Sequence, residues 1–466
     1  MPIAIYWFRR ALRLDDNQGL SVALERYGSI VPVFVLDPAI LSRPDTGKAR
    51  VRFLFQGLAA LDASLRERGG RLIIRHGDPI EVLPRLAAEC GAKAVYYADE
   101  HEPHGMRRDE AVRAALEKQG VLVTTLEDHL LVSPDRLFTK AGSAYTKFTP
   151  YKKRWLEEKI PAPLPLPTRI PVPEGISTEP LPKPKANWPQ ATVRGGEAEA
   201  RKLLDTFLVE AVKVYDTGRE KPAHEGTSRL SAYLRFGMLS PRRFHYELNA
   251  LREKLPVAER VGVDTVITEL CWRDFFAQVL YHFPHAATGS FKAELDTIAW
   301  QNDERLFEAW KQGRTGYPIV DAAMRQLQSE SWMHNRARMI VASFLTKDLL
   351  IDRRWGEKHF MELLVDGDMA ANNGGWQWAA STGTDAQPYF RIFNPTSQGE
   401  KFDPEGAYVK RWVPELAQVP AKAIHTPWVL SPTERKSLGA DAYPIPIVDH
   451  GVQREKALAL FKAVRK

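Results

Sequence analysis

Within the first 130 residues, short β-branched runs take turns with helical stretches, and this alternation constrains the fold more than any other feature of the chain. The runs at 3–7, 30–35, 71–75, 94–97 and 121–126 are separated by amphipathic segments such as 50–68 and 79–89. Strands joined by helices of that length cannot close as hairpins, so the connections cross over and the strands lie parallel, in a sheet covered on both faces. No GxGxxG follows the first run and no GxxxxGK(S/T) occurs anywhere. The sheet is therefore read as doubly wound and Rossmann-like, but without the fingerprint of an ordinary dinucleotide site.

Between residues 161 and 189 stand ten of the chain's 33 prolines. Proline removes a backbone donor and fixes φ, so this stretch is read as an extended linker. From 196 to 363 period-2 alternation all but disappears, and apolar residues recur at helical spacing, as in Leu203, Phe207 and Leu208 or Leu345, Leu349 and Leu350. A second proline-bearing stretch, 388–446, is expected to wrap the surface in short helices. The fold class is thus α/β plus all-α, and 466 residues suffice for two or three domains with cores of their own. The expected division is an α/β domain at 1–130, a linker at 131–195 and a helical domain at 196–466.

With 44% hydrophobic and 26% charged residues the chain reads as soluble and globular. The apolar run before Arg9 and Arg10 is too short for a signal peptide, and no stretch approaches about 18 uninterrupted apolar residues. A cytoplasmic location without membrane contact is the default. Cys90 and Cys271 lack metal-ligand spacing and read as reduced core residues; the histidines show no zinc pattern, and no serine sits in a nucleophile elbow, so no metal is expected. A net charge of +7 suits an anionic partner. Nine of the twelve tryptophans lie between Trp272 and Trp428, where they need a core, a stacking ligand or a redox role.

Four segments carry candidate chemistry. EGTSRLS at 225–231 sets three hydroxyls and Arg229 at the apparent start of a helix, a plausible pyrophosphate site or a plain N-cap. ELCWR at 269–273 places Glu269 and Trp272 on one helix face, where a carboxylate beside an aromatic plate can hold an extrahelical base or serve a core salt bridge. In WMHNRARM at 332–339, Trp332, Asn335 and Met339 are expected to share a face flanked by Arg336 and Arg338. DGDMAANNGGWQW at 366–378 is too rich in glycine and small polar residues to be a stable helix for its own sake, which favours function.

These segments, together with TGYPIVDAAMRQL at 315–327, FRIFNP at 390–395 and FRRALRLDDN at 8–17, resemble the photolyase and cryptochrome family, nearest to the bacterial class that repairs cyclobutane pyrimidine dimers. The resemblance spans nearly the whole chain. It implies a carbon–carbon lyase that passes one electron, under blue light, from reduced flavin adenine dinucleotide (FAD) to a flipped dimer in ultraviolet-damaged DNA. The FAD would be held by Tyr215, by Thr227, Ser228, Arg229, Leu230 and Ser231 around its phosphates, and by Trp272, Arg338, Asp366 and Asp368. Asn372 would face N5 and support the reduced anionic flavin. Glu269, Trp272, Asn335, Met339 and Trp378 would line the dimer pocket, and Arg219, Arg273, Arg336 and Arg391 would hold phosphates.

Members of the family usually carry three tryptophans in a relay that re-reduces oxidised flavin. Trp376 and Trp300 match its two ends, but the middle position is Arg353, and Trp355, two residues on, would point to the opposite face of a helix. Impaired photoreduction is the expectation. An antenna chromophore is implied in the first domain: Phe34, Asp37, Arg50, Glu100 and Glu102 resemble members with a deazaflavin or flavin antenna, whereas the asparagine and glutamate expected for methenyl-folate fall at His104 and Gly105. The competing readings are a cryptochrome-type light receptor, opposed by Asn372 and by the chain's end at Lys466, and a (6-4) photolyase, which would want histidines where Asn335 and Met339 stand. A monomer is expected.

Overall fold

The computed structural model describes residues 2–464; Lys466 lies outside them. Five strands, β1 (Ile3–Phe8), β2 (Ile30–Leu36), β3 (Ile73–His76), β4 (Ala92–Ala98) and β5 (Leu122–Leu126), form one parallel sheet in the order β3-β2-β1-β4-β5. The order reverses between β1 and β4, the switch point at which such sheets usually seat a ligand. Helices Gln18–Tyr27, Lys48–Arg66, Pro79–Cys90 and Pro103–Glu117 make the crossovers. β1 and β2 are buried almost end to end, as strands covered on both faces must be. Ile5, Trp7, Val33 and Val95 pack with Val82, Leu86, Val112 and Leu116.

The chain packs as two compact units. One comprises Met1–Lys213, Ser228–Pro284 and Val365–Ala370; the other comprises Val214–Thr227, His285–Leu364 and Ala371–Lys466. Helices Glu197–Glu210, Pro241–Lys254 and Val261–His282 accordingly belong with the sheet to the first unit.

The proline-rich stretch lacks regular structure, as read, but it is not a free tether. It runs as a strap along β3, an edge strand. The Thr178 hydroxyl accepts from the Ile74 amide at 2.9 Å and the Glu179 amide donates to the Ile74 carbonyl at 3.0 Å. The Pro171 carbonyl takes the Ile30 amide at 3.0 Å. Proline cannot donate, yet its carbonyl accepts as well as any other, so a proline-rich strap can blunt a sheet edge without offering a new one. Its own Ile170 and Ile176 are buried. Upstream, 131–195 also contains the helix Phe148–Trp155. It is fixed by Asp274, whose Oδ2 accepts from Trp155 Nε1 at 3.0 Å and from the Leu131 and Val132 amides at 3.1 and 3.0 Å.

The second unit is helical, around a core containing Trp310, Met324, Val341, Phe360, Trp376, Tyr408 and Tyr443. The TGYPIVD segment proves structural. Buried Asp321 accepts from Thr315 N and Oγ1, both at 2.7 Å, from the Gly316 amide at 3.0 Å and from the Tyr443 hydroxyl at 2.5 Å. Gly316 has φ +80°, and a Cβ there would meet the Ile445 carbonyl oxygen at 2.3 Å. Short helices, among them Pro395–Phe402, Ala407–Trp412 and Pro432–Ser437, fill the second proline-bearing stretch as read. Among the described residues no helix is long and apolar enough to cross a membrane.

Candidate active site

In the first unit, residues 228–230 lead into a short helix, Ser231–Phe236. Ser231 gives its hydroxyl to Asp366 at 2.6 Å. Arg229 stands in the left-handed region at φ 52°, and its Nη1 donates to Thr192 Oγ1 at 3.2 Å. The Ser228 hydroxyl accepts from the Leu230 amide at 3.4 Å. Thr227, Tyr215 and Arg219 belong to the second unit, in a loop closed on itself: a Cβ on Gly226 would meet the Gly218 carbonyl oxygen at 2.7 Å. The Arg219 guanidinium lies 5.5 Å from the Tyr215 ring centre.

Asp368 meets a buried charge cluster at the switch point of the sheet. Arg10, which follows β1, pairs with Asp368, with Glu102 at 2.7 Å and with Glu100 at 3.2 Å; both glutamates follow β4. Arg235 approaches Asp368 at 3.6 Å. Burial works against ionising Glu100, but Arg10, Arg9 and Arg108 prevail and hold its carboxyl at about 2. Burial, with Glu100 beside it, pushes Glu102 up. Burial and the neighbouring arginines keep His129 well below the usual histidine range. A cavity of about 20 Å³ lined by Arg10, Glu102, His129, Arg273 and Asp368 remains, with room for one water. Of the other antenna candidates, Phe34 is buried on β2, Asp37 caps the helix Pro38–Leu41 through Ala39, and Arg50 is buried with its Nη2 on the Asp45 carbonyl at 2.5 Å.

Glu269 and Trp272 do lie together on Val261–His282, both half-buried. One indole face is taken: Phe148 stacks on it at 3.5 Å between ring centres and 6° between planes. The Arg273 guanidinium turns inward, to the His129 carbonyl at 2.7 Å and the Leu234 carbonyl at 3.3 Å.

In the second unit the helix Asn335–Ser343 starts at Asn335, so Trp332, buried ahead of it, does not share a helix face with Asn335 and Met339. His334 caps this helix, its Nδ1 accepting from the Arg336 amide at 3.1 Å. Asn335 is exposed and Met339 half-buried. Arg338 donates to the Met333 carbonyl at 2.8 Å. Arg336 pairs with Glu220 and lies over the Phe402 ring at 4.3 Å. Arg391 is exposed, beside Phe390, itself 61% exposed.

The DGDMAANNGGWQW segment forms a regular helix, Met369–Ala380, despite its glycines. Tertiary contacts override propensity here: Asn372 donates to the Glu357 carbonyl and Asn373 to the Glu357 carboxylate, both at 2.9 Å. Trp376 is 2% exposed and its indole N–H has no partner among the described residues. Trp378 is half-buried. Arg353 opens the helix Arg353–Leu363, as the register required, and is buried; Trp355 faces elsewhere, edge-on to Phe307 at 5.2 Å. Trp300 packs on Phe461 at 6.0 Å. One aromatic went unnoticed in the sequence: Trp310, fully buried, meets Trp376 edge-on at 6.1 Å and stacks on Phe307 at 5.8 Å.

The doubly wound sheet and the helical unit rich in buried tryptophan and amide side chains define a two-part flavoprotein architecture. Comparison with known proteins bears on the same point. A family model described as DNA photolyase matches residues 4–172, and one described as the FAD binding domain of DNA photolyase matches 266–463. A deoxyribodipyrimidine photo-lyase of Halobacterium salinarum is 43% identical, with 99% of either chain covered. A class III photolyase of Agrobacterium tumefaciens superposes with a TM-score of 0.94 at 40% identity, over 100% of this chain and 98% of that one. An archaeal photolyase of Sulfolobus tokodaii, solved with two FAD molecules, gives 0.85 at 34%, over 99% and 100%. The chain belongs to the DNA photolyase family. It is a lyase of that family, with FAD as cofactor and damaged DNA as partner.

Proposed function

We propose that this photolyase splits cyclobutane pyrimidine dimers, flipped out of DNA, by light-driven electron transfer. The observation that carries this reading is the pairing of Glu269 with Trp272 on one helix, the indole backed by Phe148 and so stiffened as a plate. The exposed Asn335 and the half-buried Met339 stand where repair of (6-4) products would want histidines. Bound FAD supplies one electron under blue light and recovers it. The chain orients and shields. Glu269 is the hydrogen-bond partner of the dimer's bases, Trp272, Asn335, Met339 and Trp378 shape the pocket, and Arg219, Arg336 and Arg391 face the backbone.

Tyr215, 227–231, Arg338, Asp366 and Asp368 are assigned to the cofactor and Asn372 to its N5, within a functional division into 1–130, 131–195 and 196–466. Phe34, Asp37, Arg50, Glu100 and Glu102 are assigned to a flavin-type or deazaflavin antenna; the two FAD molecules of the Sulfolobus tokodaii photolyase, reported as implying a light-harvesting cofactor, support the flavin type. A cytoplasmic monomer completes the reading. The deciding experiment illuminates the reduced protein with ultraviolet-damaged oligonucleotide and follows each lesion. Loss of cyclobutane dimers alone is expected; loss of (6-4) products alone, or of neither, overturns the proposal.

A further inference from the structure

Arg353, which the family resemblance sets at the middle of the tryptophan relay, lies in a ring of polar contacts. Its Nη1 meets Glu357 Oε2 at 2.5 Å, and its Nη2 donates to the Gly289 carbonyl at 2.6 Å. Glu357 Oε1 accepts from Asn373 Nδ2 at 2.9 Å, Asn373 Oδ1 accepts from Gln377 Nε2 at 3.0 Å, and Gln377 Nε2 returns to the Gly289 carbonyl at 3.3 Å. The contacts close into a ring of five residues, and Arg353, Asn373 and Gln377 are each less than 5% exposed. Gln377 is held further by the Ala286 carbonyl at 3.0 Å and the Phe291 amide at 2.8 Å. Asn372 hangs from the same node, its Nδ2 on the Glu357 carbonyl at 2.9 Å.

Burial works against charge on both partners, pushing Glu357 up and Arg353 down, and each opposes the shift in the other. Asp352, Arg354 and, around Arg353, Asp296 are the other charged groups acting here. A buried carboxylate that loses its only strong cationic partner is left uncompensated and reorganises or protonates. A tryptophan at 353 would leave Glu357 in that position.

We propose that Arg353 is a positioning residue, which through the Glu357 node sets the side chain of Asn372 for the flavin. The inference rests on the assignment of Asn372 to N5. Its test needs no repair assay: the midpoint potential of the bound flavin and the amide exchange of Met369–Ala380 are measured on the holoprotein. Arg353→Gln should shift the potential and speed exchange in that helix at least about tenfold, since local opening free energies respond to a broken buried pair. Arg353→Lys, which keeps the charge, should recover most of both. In an Asn372→Ala background Arg353→Gln should shift the potential no further.

An equal shift in that background would mean that the charge acts on the flavin directly, and the positioning role would fall. It would fall also if Arg353→Gln left potential and exchange unchanged. Should Arg353→Gln not fold, Glu357→Gln, which keeps an acceptor for Asn373 but removes the charge, carries the same cycle. Failure of dimer repair by the unaltered protein would sink the reading of function instead, and the two failures are separately visible.

Discussion

Glu269 sits half-buried one turn from Trp272, and its removal separates cofactor from substrate. Glu269→Ala is expected to keep the flavin content while repair per absorbed photon falls, because a hydrogen bond to a charged group is worth about 1.5–3 kcal/mol. Flavin content and quantum yield measured together check this; loss of flavin with normal yield would refute the assignment. Photoreduction reads out a different set of residues. Arg353 is not readily oxidised, but Trp310 lies 6.1 Å from Trp376, and Phe307 joins it to Trp355. With a thiol donor under illumination, Trp310→Phe should slow flavin reduction more than Trp300→Phe does; the reverse order would return the route to the far end of the usual relay. That Arg353 and Trp355 face different ways was legible from register alone. Trp310 was not, because it lies on an ordinary amphipathic helix, Glu304–Lys311, and nothing along the chain says which buried aromatic touches which.

Prolines mark where a helix cannot be, and the sequence reading of 161–189 went that far and no further. That the strap docks on β3 depends on the Thr178 hydroxyl and the Glu179 amide finding an unpaired strand edge, a tertiary fact with no local signal. The helix Met369–Ala380 fails to show for the converse reason: its stability lies in the Glu357 node and in the packing of Trp376, not in its own residues. The helix Phe148–Trp155 and residues 131–132 share one anchor, Asp274, whose carboxyl burial raises from the ordinary 3.8 to about 6. A folded pKa above the unfolded one contributes stability that is complete below about pH 3.8 and lost as pH rises through about 6. That loss is of the order of 3 kcal/mol. Asp274→Asn keeps an acceptor for the three donors, so its unfolding free energy, followed by denaturant titration from pH 4 to 7, should lose this downward trend. An unchanged slope would show that Asp274 stays ionised throughout.

Taken whole, the chain carries an excess of seven positive charges, and the binding of damaged DNA should weaken steeply with salt. Each phosphate contact removed lowers the slope by about one unit. Arg391, exposed and next to Phe390, should show this when replaced by alanine; Arg336, already paired with Glu220, should show less, and Glu220→Gln should strengthen binding by freeing it. Fluorescence anisotropy at several salt concentrations distinguishes the two, and equal slopes for both arginine variants would contradict the difference. The α/β-plus-helical plan was evident from periodicity. The inward turn of Arg273 was not, since a basic residue reads the same whether it meets phosphate or a carbonyl. At the switch point of the sheet, Arg10 answers to three carboxylates at once, on β4's far end and on the loop 366–368. Such a knot has an evolutionary signature: losing the arginine alone would take the ion pair from Glu102 and leave Glu100 and Asp368 to more distant arginines, and losing one acid alone would unbalance the rest. Across the family these four positions should therefore drift as a group or stay fixed together.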